Sequence, residues 1–340
     1  MIEVSGYEIH SELGSGGMAT VYLATQESLD RKVALKVMRE SLSGNTQADN
    51  EYEQRFFKEG KNLAKLEHNH IATIYDISKS NGQYYYAMEY LSHGDLSDKL
   101  KKGISVFDSL YTVMLIADAL HFAHLKNIVH RDIKPSNIMF RGPSDPVLTD
   151  FGISKDMSTK TELTGTGMMV GTPSYMSPEQ INAEPLDGRS DLYSLGIVMY
   201  QLLVGELPYQ ADEPIALAFK HIHSPIPQLP EKLAGLQGIL EMCLAKKVED
   251  RYNNLQEFVN DLNHVFQHDQ KLQEVFTEDT VICSANEMSS GLKMLKSRSG
   301  QTASAIHSGN VPTMSIAGHK SAFIAVEKNK FSIIKSMLPY

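Results

Sequence analysis

The stretch His130–Gly152 reads HRDIKPSNIMFRGPSDPVLTDFG. Within it, Asp132 and Asp150 bracket Lys134 and Asn137. No element type asks for this set: a strand wants apolar alternation, and a loop wants Gly, Asn or Ser. An apolar approach, Ile128-Val129, ends in His-Arg-Asp, and a second, Val147-Leu148, ends in Asp-Phe-Gly. Each carboxylate thus follows a short buried segment, where a rigid scaffold can aim it at a common point. Two carboxylates, an ammonium and an amide converging on a point suit a metal-bound polyphosphate.

Composition sets the bounds. The chain has 340 residues, enough for two lobes, with 42% hydrophobic and 21% charged residues, as in ordinary globular proteins. A net charge of −9 disfavours a nucleic-acid-binding surface. Cys243 and Cys283, far apart and without ligand-like neighbours, argue against a disulfide scaffold or a zinc site. The start MIEVSGYEIH lacks a secretory pattern, and the apolar window Leu192–Val204 is too short to span a bilayer. The expectation is a cytoplasmic protein without a transmembrane segment.

Working outward, Tyr7–Val37 alternates as strands around Gly14-Ser15-Gly16-Gly17. Such a turn either closes a plain hairpin or lets backbone N–H groups approach phosphate. Lys36, on the strand Val33-Ala34-Leu35-Lys36, either meets an anion or snorkels from an edge. Ser41–Asn50 reads as loop and Glu51–Leu66 as helix, with Glu59 either solvated or paired with Lys36. Ile71–Ile77 and Tyr84–Tyr90 read as strands joined by Ser80-Asn81-Gly82. This makes a small antiparallel sheet with one helix, and Ser92-His93-Gly94-Asp95 serves as a hinge. Helices are predicted over Asp108–Lys126, Asp191–Val204, Pro214–His223, Leu233–Ala245 and Leu255–Phe266. Phe151–Tyr175, rich in Ser, Thr and Gly, is a functional or mobile loop. From His268 the composition turns Ser/Thr-rich, with apolar character returning in the last twenty residues. The predicted organisation is residues 1–91, 92–267 (with a segment at 150–179) and a partly disordered tail at 268–340.

The glycine turn, Lys36, Glu59, HRDIKPSN, DFG and Ser177-Pro178-Glu179 occur in one order at compatible spacings. Together they resemble a eukaryotic-type (Hanks-type) serine/threonine protein kinase of the bacterial branch. GSGGMATVYLA, LTDFGISK, GTPSYMSPEQ and RSDLYSLGIVMYQLLVGELPY carry that resemblance. It covers roughly Tyr7–Phe266 and implies an α+β, two-lobed fold, with a β-rich N-lobe and a mainly helical C-lobe.

The resemblance also implies roles. Gly14 and Gly16, with Leu13 beside them, would cover the phosphates of ATP. Lys36, held by Glu59, would bind the α- and β-phosphates. Val21 and Ala34 above and Met139 below would sandwich the adenine, with Met88 behind it. Glu89 to Leu91 would offer backbone hydrogen bonds, and Asp95 would complete the nucleotide site. Asp132 would accept the proton of a Ser or Thr hydroxyl, and Lys134 would contact the transferring phosphate. Asn137 and Asp150 would hold Mg2+ or Mn2+. Lys134 and Thr172 match the serine/threonine pattern, so the implied substrates are proteins with Ser or Thr. Arg131 would pair with a phosphate on Thr164 or Thr166, added by autophosphorylation within one chain or across a transient homodimer. Glu179 with Arg251, and Asp191 beneath the catalytic loop, would be structural.

Departures are few. Ala19 replaces the third lid glycine and Ser177 the usual alanine. The membrane span and sensor domain common after bacterial kinases are not seen, which favours a cytosolic or partner-recruited enzyme. Thr277 and Thr280, in VFTEDTVI, either recruit a phosphothreonine-reader partner or are polar linker. A scaffold on the same fold would have lost Lys36, Asp132 or Asp150, and none is lost. A small-molecule kinase would not need GTPSYMSPE.

Overall fold

The computed structural model describes residues 3–17, 19–39, 46–151, 173–277 and 281–282. Five antiparallel strands form the first lobe in the order β1-β2-β3-β5-β4: β1 Tyr7–Ser15, β2 Ala19–Gln26, β3 Arg31–Met38, β4 Ile74–Ser80 and β5 Gln83–Glu89. The β4–β5 connection is the two residues Asn81 and Gly82, both with positive φ (50° and 83°). That is the primed turn whose twist matches a hairpin, as Ser-Asn-Gly foretells. One face of the sheet buries Val33, Leu35, Val37, Tyr85 and Ala87 with Tyr7. The other packs Ala34, Met38, Tyr84, Tyr86 and Met88 against Phe56 of helix α1, Thr46–Leu63. This helix begins within the stretch read as loop. It lies close to β4 because Gly60 faces Ile77: a Cβ there would sit 2.6 Å from the Ile77 Cδ1.

The second lobe is built on α3, Val106–Leu125, which is buried on nearly all sides. Ser105 caps it by accepting from the Asp108 N–H. By length and composition α3 could cross a membrane, but here it is the core onto which the lobe packs. Around it lie α5 (Gly188–Val204), α6 (Pro214–His223), α7 (Gln237–Leu244) and α8 (Leu255–His268), preceded by the short α4 (Pro178–Ile181). Gly205, at φ 87°, terminates α5 as a left-handed cap that only glycine adopts freely. The strands β7 (Ile138–Gly142) and β8 (Asp145–Leu148) form the hairpin between the two carboxylates of the opening stretch.

Several elements depart from the sequence reading. Helix α2, Leu96–Lys102, follows the hinge. The predicted helix Leu233–Ala245 is a 3-10 segment, Glu231–Leu236, running into α7. Most consequential is α9, Gln270–Thr277, inside the region predicted as tail. Its Leu272, Val275 and Phe276 are buried. The Phe276 ring lies 5.5 Å from that of Phe107 and 4.9 Å from that of Phe266. Beyond it, Val281–Ile282 (β9) pairs with Ile104–Ser105 (β6). The folded body therefore extends past residue 267. Phe276→Ala should lower the unfolding free energy by about 3 kcal/mol in urea denaturation. A loss below about 0.5 kcal/mol would mean that α9 does not belong to the cooperative body.

Candidate active site

The catalytic-loop backbone is fixed by a buried carboxylate. Asp191, in the first turn of α5, accepts from the His130 N–H (2.7 Å) and the Arg131 N–H (2.8 Å). It also lies 2.8 Å from the His124 Nε2, at the end of α3. His130 is itself buried. Its Nδ1 accepts from the Asp132 N–H at 3.3 Å, so its Nε2 carries the proton and donates to the Thr149 carbonyl at 2.8 Å. Burial lowers the pKa of this imidazole, in keeping with a neutral ring. The ring also packs 4.5 Å from Phe151. A single histidine thus joins the loop bearing Asp132 to the strand end bearing Asp150.

Around Asp132 the predicted partners assemble. Lys134 Nζ lies 2.8 Å from its Oδ2, and Asn137 Nδ2 donates to the same oxygen at 3.0 Å and to the Asp132 carbonyl at 2.8 Å. The Asn137 carbonyl accepts from the Thr149 N–H at 2.9 Å, which brings Asp150 alongside. Arg131 and Asp150 both adopt left-handed backbone, at φ 66° and 60°. For such residues this is strained and persists only where the surroundings over-determine it.

Lys36 donates to Asp150 Oδ1 at 2.6 Å across the two lobes. Burial works against its ammonium, yet Tyr86 and the Asp150 carboxylate outweigh it, and the pKa of Lys36 is raised. The predicted Lys36–Glu59 pair is absent among the described residues. Glu59 Oε2 is buried without a partner, and burial raises the pKa of its carboxyl. The Asp150 carboxylate has taken the ammonium instead.

The sheet register brings the residues predicted to face a nucleotide to one side of the sheet. Val21 pairs with Lys36, Lys36 with Tyr86, and Ala34 with Met88, so all lie on one face. Met139 packs with Leu91, Ala72 and Val147 below. Leu13 is exposed, and Gly16 N–H donates to the Ala19 carbonyl at 2.9 Å, closing the lid turn. Asp95 caps α2 by accepting from Asp98 N–H at 2.9 Å, which occupies one of its oxygens. Glu89 N–H donates to the Thr73 carbonyl. The Glu89 carboxylate takes a two-pronged contact from Arg141 of β7 (2.6 and 3.1 Å), and Arg141 also reaches Asp145 at 3.0 Å. This clamp behind the hinge was not read from the sequence, since nothing local pairs positions 52 residues apart. Glu179 and Arg251 do form the predicted buried pair, at 2.8 Å on each prong, with Ser190 Oγ donating to Glu179 at 2.7 Å. Thr164, Thr166 and Thr172 lie outside the described residues.

The donor set suits a divalent-metal nucleotide. Among the described residues, no cluster of three or more His, Cys, Asp or Glu could hold a metal alone. Asp150 and the Asn137 amide oxygen are hard oxygen donors, too few for a closed site and suited to an ion that shares phosphate and water ligands. A Cβ placed on Gly14 or Gly17 would meet nothing within 4 Å, so the lid presents open backbone.

Comparison with known proteins agrees with this geometry. Residues 7–269 match the family model described as protein kinase domain. The chain belongs to the protein kinase family. Within it, similarity runs to bacterial serine/threonine kinases. PknF of Mycobacterium tuberculosis is 36% identical over 271 residues, covering 76% of this chain and 56% of that protein. PrkC of Bacillus subtilis is 33% identical over 300 residues, covering 86% of this chain and 45% of that one. The crystal structure of the M. tuberculosis PknI kinase domain superposes with a TM-score of 0.60 at 28% identity, over 77% of this chain and 97% of that domain. The chain therefore spans about half the length of these curated full-length relatives.

The Glu179–Arg251 pair yields a pH dependence. Burial alone would raise the Glu179 pKa, but Arg251 overrides it and holds the carboxyl below its ordinary 4.5. A lowered folded pKa contributes stability above the unfolded value and loses it as the pH falls through the folded value. The stability gap between wild type and Glu179→Gln should be full at neutral pH and shrink below pH 4.5 in denaturant titrations. A gap that does not change between about pH 7 and pH 3 would contradict the ion pair.

Proposed function

We propose that this chain transfers the terminal phosphoryl group of Mg-ATP (or Mn-ATP) to Ser and Thr hydroxyls of proteins. The observation that carries this reading is the assembly around Asp132. Lys134 and Asn137 touch one of its oxygens, and Lys36 reaches Asp150 from the opposite lobe at 2.6 Å. When bound, Mg-ATP supplies the phosphoryl group and the metal's charge. The chain's own residues position and neutralise. Asp132, oriented by Asn137, accepts the hydroxyl proton. Lys134 meets charge on the transferring group, and Lys36 meets it on the other phosphates. Asn137 and Asp150 would hold the metal, Gly14 and Gly16 would cover the phosphates, and Val21, Ala34, Met88, Leu91 and Met139 would enclose the base. A metal held by Asp150 would compete with Lys36 for that carboxylate, and Lys36 would then be available to phosphate. The substrates are proteins presenting Ser or Thr, and dependence on ATP goes with a cytoplasmic location.

Phosphotransfer from labelled ATP tests the reading. Asp132→Asn should lower turnover by on the order of 10²–10⁴ relative to wild type. Equal incorporation by both proteins would favour a binding module instead. We further propose control by autophosphorylation at Thr164 or Thr166, on the segment after Asp150. Phosphopeptide mapping should find phosphate there in wild type and none in Lys36→Met. Absence of phosphate at both sites in active wild type would rule this control out.

A further inference from the structure

Arg131, immediately before Asp132, stands at φ 66°. Its own N–H is accounted for by Asp191 at 2.8 Å. The peptide that follows, joining the Arg131 carbonyl to the Asp132 N–H, is held at both ends. The Asp132 N–H donates to His130 Nδ1 at 3.3 Å, and the Arg131 carbonyl accepts from Gln180 Nε2 at 2.9 Å. Gln180 lies in α4, just after Glu179. Its other amide atom, Oε1, accepts from the Ser177 N–H at 3.0 Å, completing a capping box with Ser177 Oγ.

That box needs only an acceptor at this position, and glutamate supplies it as readily as glutamine. The Arg131 carbonyl asks for a donor, which only the amide has. A carboxylate there would set two acceptors against each other. The side chain's two ends thus have separate tasks: one builds α4, the other reaches 49 residues back to the catalytic loop.

We infer that Gln180 is a positioning residue for phosphotransfer, fixing the peptide plane that aims Asp132 through its hydrogen bond to the Arg131 carbonyl. The inference rests on the kinase reading and adds to it a link from α4, at the end of the 150–179 segment, to the catalytic loop. Because α4 and α5 are joined by Glu179, Ser190 and Arg251, Gln180 and Asp191 grip the loop from two connected helices.

Gln180→Glu separates the two tasks, since it keeps the cap and removes the donor. At about pH 8 its kcat should fall at least about tenfold, with KM for ATP within about twofold and the melting temperature near wild type. As the pH is lowered toward about 4.3, where an ordinary glutamyl carboxyl is half protonated, a growing share of the new side chains can donate, so the activity ratio to wild type should rise. Gln180→Met, which loses both tasks, should show the same kcat deficit without the pH recovery, together with a lower melting temperature. Wild-type kcat in Gln180→Glu at about pH 8, or a deficit unchanged by pH, would overturn the inference and leave the kinase reading standing. A wild type that transfers no phosphate would overturn that reading and the inference with it.

Discussion

The buried carboxylate of Asp191 is the constraint on which the site depends. At 1% exposure it would be costly without partners. It has three, two of them consecutive backbone N–H groups of the catalytic loop. Hydrogen bonds to an ionised acceptor are worth about 1.5–3 kcal/mol each, enough to hold Arg131 in a backbone conformation it would otherwise avoid. From that fixed point His130 reaches the Thr149 carbonyl, and Asp132 meets Lys134 and Asn137. The helix that bears Asp191 is in turn tied to Glu179 and Arg251 through Ser190. The chemistry of one lobe is thus framed by its core.

The other lobe contributes through one ammonium. Lys36 is held by Asp150, while half-buried Glu59 keeps one oxygen unpartnered and is raised in pKa. The same three groups admit two pairings, and this one keeps the Asp150 carboxylate engaged. Gly60 lets α1 settle against Ile77 of β4, so the position of Glu59 is a packing outcome before it is an electrostatic one. The clamp of Glu89, Arg141 and Asp145 joins the end of β5 to the β7–β8 hairpin at the hinge.

What the sequence disclosed follows from how local each signal is. Alternation marked the sheet, and Asn81-Gly82 marked its hairpin, because both are written in adjacent residues. The loop residues Asp132, Lys134 and Asn137 were legible because six positions of sequence hold them. Helix α2 was missed because seven residues with only Leu96 and Leu100 buried carry too little period. Helix α9 was missed because its apolar face makes sense only against Phe107 and Phe266. The Lys36–Glu59 pairing failed because a choice between two carboxylates depends on helix placement. Gln180 was within reach of reading: Ser-Pro-Glu-Gln is a capping-box pattern, but its second bond spans the fold.

On the proposed reading, Asp191 makes Asp132 a positioned base. The direct measurement is single-turnover phosphotransfer by Asp191→Asn at saturating Mg-ATP. None of the residues assigned to the nucleotide touches Asp191 among its hydrogen bonds, so Mg-ATP binding should persist. The rate of transfer should fall by on the order of a hundredfold, as expected when a reacting group is misplaced. Transfer at the wild-type rate would show that Asp191 does not position Asp132.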